Sequence, residues 1–385
     1  MTAACSPDER AARAALSALV EPGTLAAVRV ARHVCAEGPA SALALIRTGA
    51  EHLDPELRMS RRAPDVDGAR ELARAAAVGG RFLCPGDAEW PVSLDILDVT
   101  LEAGPRQGPS PLGLWIRGAG NLAAVTTRSV AVVGSRAATE YGLRVAAELA
   151  ADLATAGWTI VSGAAYGVDA AAHRGTLAVG GTTVGVLACG VDTAYPSGHA
   201  GLLHRIADEG LVVSELPPGS RPSRLRFLAR NRLIAAVTRG TVVVEAAIRS
   251  GALNTAGWAL DIGRDVLAMP GPVTSALSAG CHDLVRKGAA TLVTDAREVI
   301  DMVGDLGSDA LPDTRREIRP WDDLAPVTRD VLEAMPARKS VTVDAICRDT
   351  GLAAAACIAA LAELSLAGLV VSVAEGWQLA RRGGA

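Results

Sequence analysis

Short apolar runs alternate with stretches of helical spacing between residues 81 and 305. Each run is apolar on both faces, which is typical of a buried parallel strand. Between the first two runs, apolar residues recur at helical spacing from Leu143 to Leu153. This alternation predicts an α/β fold with an open, doubly wound, mostly parallel sheet of about seven strands. The runs are Ser129–Gly134, Trp158–Gly163, Thr182–Gly190, Leu211–Glu215, Thr241–Ala246, Asp265–Gly271 and Ala290–Val293.

The segments on either side of this region have different patterns. Residues 1–80 are rich in alanine, arginine and glutamate at helical spacing, so we expect an N-terminal helical domain, with the turn Glu21–Thr24 as a candidate helix-hairpin-helix element. Residues 306–320 are polar and contain two prolines, which indicates a linker. Residues 321–385 contain three helical segments followed by LVVSV and WQLA, a pattern typical of a winged helix-turn-helix domain.

Composition narrows the class of protein. The 385 residues carry a net charge of −4, so any site for a polyanion must be a local patch. The seven cysteines form no CxxC pair, which argues against a disulfide scaffold or a zinc–thiolate site. The N-terminus lacks the apolar core of a signal peptide, and the longest apolar run, Leu352–Ala362, is far shorter than the ~20 residues of a membrane span. We therefore expect a soluble cytoplasmic protein without a metal ion or cofactor.

Glycine-rich turns follow three of the predicted strands. Ligands of doubly wound sheets lie outside the carboxyl ends of the strands, so these turns are candidate binding sites. Backbone amides and a helix N-terminus can converge on an anion there, and Arg136 adds a guanidinium. The alternative is an ordinary β–α turn whose arginine points to solvent. The turns are Gly134-Ser135-Arg136, Ser162–Gly167 and Ser250-Gly251.

Three polar side chains near these turns have structural or chemical interpretations. Asp169 and His173 lie four residues apart on one helix face, so they are either an acid–base pair or, as we favour, a helix N-terminal carboxylate bonded to the imidazole. Asp192 follows the third strand and is a candidate for holding its loop. No nucleophile or metal-ligand set accompanies them.

The segment between Glu215 and Glu245 contains six arginines and no acidic residue in 29 positions. Phe227, one of only two phenylalanines, lies among them. Arginines interleaved with an aromatic ring favour a groove for single-stranded nucleic acid, in which cations contact phosphates and the ring stacks on a base. The alternative is a solvated basic helix face. We expect Arg232 to bond Glu215 or Glu245 instead of phosphate.

Seven motifs in order over residues 112–300 resemble those of the DNA-processing protein A family, DprA or Smf. They are VGSRAATEYG, SGAAYGVDAAAH, GVDTAYP, SELPPG, FLARNR, VVEAAIRSGALNTA and MPG followed by GCHDLVRKGA. The resemblance implies a Rossmann-like domain that binds single-stranded DNA, forms a homodimer, protects incoming DNA and helps to load the RecA recombinase in natural transformation and recombination. It implies no catalytic activity.

The same resemblance assigns residues to the DNA interface. Arg136, Arg224, Phe227 and Arg230 match DNA-contacting positions, and Asn231 belongs to the same RNR motif. The floor beneath the phosphates is assigned to Ser135, Ser162, Gly163 and Gly167, and Gly134 is counted among the nucleic-acid-binding residues. The roles of Asp169, His173, Asp192, Arg232, Glu245, Ser250 and Gly251 are expected to be structural.

Two alternative functions remain open on sequence grounds. Phosphoribohydrolases of the lysine decarboxylase-like group share this sheet type, but their PGGxGTxxE loop is split here, since Pro270-Gly271 and Gly240-Thr241 lie apart. A purely structural adaptor for RecA is the second alternative. The third helix of the winged-helix segment, residues 353–367, contains no lysine or arginine, so we expect that domain to contact proteins and not DNA.

Overall fold

The computed structural model describes residues 5–98, 108–305, 324–336 and 339–380. The chain forms two compact units, Met1–Leu311 and Pro312–Ala385. The predicted linker, residues 306–320, lies outside the described residues. The boundary at residue 80 stays a prediction, because the N-terminal helices pack with the sheet into the first unit.

Five helices open the first unit, and the first four enclose a small apolar core of their own. Ser6 and Thr24 cap the first two helices through their hydroxyl groups, and Gly23 in the turn between them has φ +77°. The helical segment is tied to the sheet by Arg10, whose guanidinium binds Asp87 at 2.7 Å. The helices are α1 Pro7–Leu19, α2 Leu25–Glu37, α3 Pro39–Arg47, α4 Arg58–Arg62 and α5 Gly68–Ala77.

A nine-stranded sheet forms the centre of the first unit, in the order β1-β2-β6-β5-β4-β3-β7-β8-β9. The seven predicted strands are all present as β3–β9, and every pair among them is parallel. The strands are β1 Gly80–Leu83, β2 Leu114–Arg117, β3 Ser129–Val133, β4 Thr159–Ser162, β5 Thr183–Leu187, β6 Leu211–Ser214, β7 Gly240–Val243, β8 Asp265–Ala268 and β9 Thr291–Leu292. Sequence patterns missed β1 and β2, which add an antiparallel edge.

Eight helices that lie wholly within the described residues accompany this sheet. They are α6 Leu122–Thr126, α7 Glu140–Thr155, α8 Val168–Ala178, α9 Ala200–Glu209, α10 Arg224–Val237, α11 Gly251–Asp261, α12 Ala279–Arg286 and α13 Ala296–Val303. Side chains alternate across the strands, so that Val130 and Val132 of β3 pack with α7, α8 and α13, while Ala131 and Val133 pack with α10 and α11. Both faces are therefore covered, which confirms the predicted doubly wound, Rossmann-like fold.

The order of the strands places a crevice between β3 and β7. Strands β4, β5 and β6 extend from β3 in one direction, whereas β7, β8 and β9 extend in the other. The helices that leave β3 and β7 lie on opposite faces, and a cleft opens where the strand order reverses. Two of the predicted glycine turns, after β3 and β7, lie at this point.

The second unit has the predicted winged-helix pattern around a small apolar core. Its elements are α14 Pro326–Glu333, α15 Val343–Thr350, α16 Ala354–Leu366, and the antiparallel strands β10 Val370–Val373 and β11 Gly376–Leu379. Thr342 caps α15 as predicted by accepting the amide of Ala345. Within the described ranges, no single helix is long and apolar enough to cross a membrane. The helices α15 and α16 reach that length and apolar character only when they are taken together, and they are bent by 110° relative to each other.

Candidate nucleic-acid interface

A cavity of about 850 Å³ opens at the carboxyl ends of β3 and β7. Its wall includes the turn after β3, the first half of α10 and the turn that opens α11. Four arginines line it, together with Phe227 and Tyr195, whereas Asp169 is the one carboxylate among its lining residues. The arginines are Arg136, Arg224, Arg230 and Arg249. The site therefore carries local positive charge in an acidic protein.

The turns after β3 and β4 are pressed against each other. The amide of Val168 donates to the carbonyl of Ser135 at 3.2 Å, and Gly167 has φ +79°. A Cβ on Gly167 would lie 2.1 Å from the Ser135 oxygen, and one on Gly134 would lie 2.5 Å from Val168. Glycine is thus required by close contact at both positions.

Some residues of these turns line the cavity, and others bond to backbone carbonyls of the sheet. Gly134 and Ser135 line the cavity, and the Ser135 amide donates to the carbonyl of Glu245 at 2.7 Å. Ser162 is fully buried, and its hydroxyl donates to the carbonyl of Val132 at 2.6 Å. Ser162, Gly163 and Gly167 are absent from the lining, but Gly163 lies against Arg230 and Gly167 against Ser135 and Arg136, which do line the cavity.

Helix α10 presents its first two turns to the cavity. Ser223 caps it by accepting the amide of Arg226, which places Arg224 at its exposed first position. Phe227 is half-buried, and the guanidinium of Arg136 lies over its ring at 4.7 Å from the centroid. Arg224 has no ion-pair partner among the described residues.

Arg230 lies deeper than a surface phosphate contact. It is 6% exposed, its guanidinium donates to the carbonyl of Val186, and it fills the space that a side chain at Gly163 would take. Burial lowers its pKa to about 10, which leaves it charged at neutral pH. Its buried Nε has no hydrogen-bond partner in the described part of the chain.

Asp169 provides a carboxylate beside this buried cation. Its Oδ2 accepts the amides of Gly163 at 3.1 Å and Ala165 at 3.3 Å. Burial raises its pKa, an effect that the charge of Arg230 and these two amides oppose. Asp169 therefore holds the turn after β4 in place and lies close to the positive charge under the cavity.

The predicted bond between Asp169 and His173 is wrong. The hydroxyl of Thr183 donates to the carbonyl of Ile160, so its oxygen accepts the Nδ1 proton of His173 at 2.7 Å. Burial lowers the pKa of His173 to about 3, so the ring is neutral at physiological pH. His173 thus stabilises the α8–β5 contact and takes no part in acid–base chemistry with Asp169.

Arg232 forms the carboxylate pair that was predicted for it. Its Nη1 and Nη2 donate to the two oxygens of Glu215 at 2.8 and 2.7 Å, and its Nε donates to the carbonyl of Pro109. Glu245 has a different role, since it accepts the amide and the hydroxyl of Thr139 at 2.9 and 2.6 Å. Both glutamates therefore hold loops at the edge of the sheet.

Two further polar side chains bond the backbone of nearby loops. Both oxygens of Asp192 accept the amide of Gly219, at 2.8 and 2.9 Å, so this carboxylate orients its loop. Ser250 caps α11 by accepting the amide of Ala252. Asn231 is 8% exposed, lines the cavity and donates to the side chain of Asn254 at 3.2 Å.

The six arginines of the acid-free interval differ in their partners and in whether they line the cavity. Arg226 binds Glu21 through two hydrogen bonds of 2.6 and 2.7 Å, and Arg239 binds Asp305 at 2.9 Å. With Arg232 paired to Glu215, three of the six have structural carboxylate partners. Only Arg224 and Arg230 of the six line the cavity.

Sequence reasoning missed two of the arginine and aromatic side chains that line the cavity. Arg249 is exposed and lines the cavity, but it follows Glu245 and so lies outside the acid-free interval. Tyr195 is 41% exposed, and its ring lies 5.5 Å from that of Phe227. Its neighbour Pro196 had suggested only a turn. The signal available in the sequence was the position of both residues directly after parallel strands.

Family models and sequence relatives all point to the DprA and Smf proteins. The model of the DNA recombination-mediator protein A family matches residues 81–304, and a DprA winged-helix model matches residues 316–376. A putative DNA processing protein DprA from Mycobacterium tuberculosis is 46% identical over 372 residues, which cover 92% of this chain and 93% of that protein. Protein Smf of Escherichia coli is 37% identical over 68% of this chain and 71% of that protein.

Solved structures agree with these sequence relatives. DNA processing protein A from Streptococcus pneumoniae has a TM-score of 0.62 and 30% identity, and the match covers 76% of this chain and 96% of that one. DNA processing protein A from Helicobacter pylori, described for its single-stranded DNA binding mode, has a TM-score of 0.50 and 28% identity over 58% of this chain and 94% of that one. The family model spans more than half of the chain, and the chain therefore belongs to the DprA/Smf family of DNA-processing proteins.

Proposed function

We propose that this protein binds single-stranded DNA in the cavity between β3 and β7. The observation that carries the proposal is the grouping of four arginines and two aromatic rings around one crevice in a protein of net charge −4. Three of the arginines are exposed and reach phosphates, whereas buried Arg230 adds positive potential from below. The Phe227 ring contacts a base, and bases are accessible only in an unpaired strand.

The wider role follows from family membership and is part of the same proposal. We infer that the chain acts on DNA in the cytoplasm as a recombination mediator, forms a homodimer through the Rossmann-like unit, and passes its strand to the RecA recombinase. The described relative from H. pylori, with its single-stranded DNA binding mode, supports the first step. No catalytic step is needed for any of these roles.

The test is a titration of a thymidine oligonucleotide and of a duplex at several salt concentrations. We expect tight, sequence-tolerant binding of the single strand and weak binding of the duplex. Each of the substitutions Arg136→Ala, Arg224→Ala and Arg249→Ala should lower the salt slope by about 0.7 for the phosphate contact that it removes.

Arg47→Ala is the matched control, because Arg47 is an exposed arginine on α3 outside the cavity lining. It should leave the salt slope unchanged. Equal affinity for single strand and duplex would refute the proposal. So would an unchanged salt slope in a folded variant that combines Arg136→Ala, Arg224→Ala and Arg249→Ala. Molar mass measured in the same samples tests the homodimer, and added RecA tests the transfer step.

A further inference from the structure

Two neighbouring side chains already contact the Phe227 ring in this structure. The guanidinium of Arg136 lies over the ring at 4.7 Å from its centroid, and Tyr195 lies beside it at 5.5 Å with an angle of 48° between the ring planes. Tyr195 is 41% exposed and lines the cavity. The next accessible aromatic surface along the rim is therefore Tyr195.

The loop that carries Tyr195 is anchored at both ends. Asp192 accepts the amide of Gly219 at 2.8 Å, and His199 is 3% exposed, with its Nδ1 at 3.1 Å from the carbonyl of Ala164. An exposed ring on an anchored loop loses little conformational freedom when a ligand stacks on it. This loop is thus suited to present Tyr195 to a base.

A second exposed tyrosine lies against the same loop. Tyr166 is 50% exposed, and its ring meets that of His199 edge-on at 4.5 Å. Its hydroxyl lies close to Gly198, since a Cβ on that glycine would be 2.8 Å from the oxygen. Tyr166 comes from the turn after β4 that also holds the floor of the cavity. The aromatic rim therefore continues from Phe227 through Tyr195 to Tyr166.

We propose that Tyr195 and Tyr166 stack on successive bases and lead the strand out of the cavity over residues 195–199. The inference rests on the proposed function and extends it, since it adds base-stacking positions beyond Phe227. Stacking on the π-face of any base is tolerant of sequence, and it is unavailable to a duplex whose bases are paired and stacked on one another. These tyrosines would therefore contribute to the preference for single strands.

The test compares Tyr195→Ala and Tyr166→Ala with Tyr195→Phe and Tyr166→Phe on a thymidine oligonucleotide. Loss of one stacked base should weaken binding roughly 5- to 150-fold in each alanine variant, whereas the phenylalanine variants should bind as the wild type. The salt slope should not change, because no phosphate contact is lost. On a strand of the same length made of abasic nucleotides, the alanine variants should bind as the wild type.

Tyr141 offers a matched control, since its hydroxyl donates to the carbonyl of Pro270 at 2.6 Å and it does not line the cavity. Tyr141→Phe should keep full affinity. Alanine variants that bind the thymidine strand normally, or that lose as much on the abasic strand, would overturn the stacking inference. A wild-type protein that binds no single strand would instead refute the proposed function, so the two failures are distinguishable.

Discussion

Two arginines of α10 that lie two positions apart are both buried, yet they serve different purposes. Arg232 is 1% exposed and its charge is matched by Glu215 through two hydrogen bonds. Arg230 is 6% exposed and donates to a backbone carbonyl, and Asp169 is the charge that most stabilises its cationic form. Arg232 is therefore a structural ion pair, whereas Arg230 supplies positive potential to the cavity.

Substitution of Arg232 tests this division. Arg232→Met should lower the free energy of unfolding by about 3–5 kcal/mol, because it leaves the largely buried carboxylate of Glu215 without its partner. The double substitution Arg232→Met with Glu215→Leu should recover much of that loss, since both charges are then removed. Urea denaturation at constant pH measures both effects.

Arg205→Ala provides the control for that experiment. Arg205 binds Glu209 at 3.0 Å on the surface, with side chains that are 52% and 41% exposed. Its substitution should change the free energy of unfolding by less than about 1 kcal/mol. A loss of equal size in Arg232→Met and Arg205→Ala would contradict the structural role of the buried pair.

The same segment shows how far sequence predicts individual side chains. The acid-free interval correctly predicted an arginine-rich element at the ligand edge, because missing acids are visible in a linear pattern. It could not assign Arg226 to Glu21 or Arg239 to Asp305, since those partners are distant in the chain. The spacing of Asp169 and His173 predicted a shared helix face but not the competing partners, the amides of Gly163 and Ala165 and the hydroxyl of Thr183.

At the scale of elements, the cavity depends on contact between the turns after β3 and β4. Gly167 adopts φ +79°, and its Cα faces the carbonyls of Ser135 and Arg136. No side chain fits there without moving the turn that carries Arg136. The backbone of one turn therefore positions the cation of the other.

Gly167→Ala should separate these turns. The substitution combines the cost of a left-handed residue with a clash against backbone, so we expect a loss of about 2–5 kcal/mol in the free energy of unfolding and weaker single-strand binding. Gly180→Ala is the matched control, because Gly180 has φ +69° but no atom within 4 Å of the added Cβ. It should cost about 1–2 kcal/mol and leave DNA affinity unchanged. Equal effects of the two substitutions would show that packing of the turns is unimportant.

The sequence predicted the strands that are buried on both faces but missed the two at the antiparallel edge of the sheet. Strands β3–β8 are buried on both faces for most of their length, so each appears as a continuous apolar run. Strand β1 has two half-buried residues and two buried ones, and β2 follows directly on Gly113. Both strands are only four residues long and pair antiparallel with each other, and β2 also pairs with β6, more than 90 residues further along the chain, which no local pattern shows.

At the scale of the whole molecule, one cavity of the first unit brings four arginines together in a chain of net charge −4. The second unit has no excess of positive charge, since Pro312–Ala385 contains ten acidic and nine basic residues, a net charge of −1. Helix α16 contains no lysine or arginine, and the carboxylate of Glu363 on it accepts the hydroxyl of Thr328 at 2.6 Å. A helix that enters a DNA groove needs cationic phosphate contacts, which α16 does not supply.

A chain that ends at Leu311 should therefore retain single-strand binding. We expect its affinity for a thymidine oligonucleotide to remain within about twofold of the full-length value, a difference of about 0.4 kcal/mol. The salt slope should also stay constant, because the arginines of the cavity all lie in the first unit. Molar mass and circular dichroism should be measured on the same sample, so that a change of assembly or folding is not mistaken for a lost contact. A folded truncated chain whose affinity falls by tenfold or more, with a shallower salt slope, would show that the winged helix contacts DNA phosphates after all.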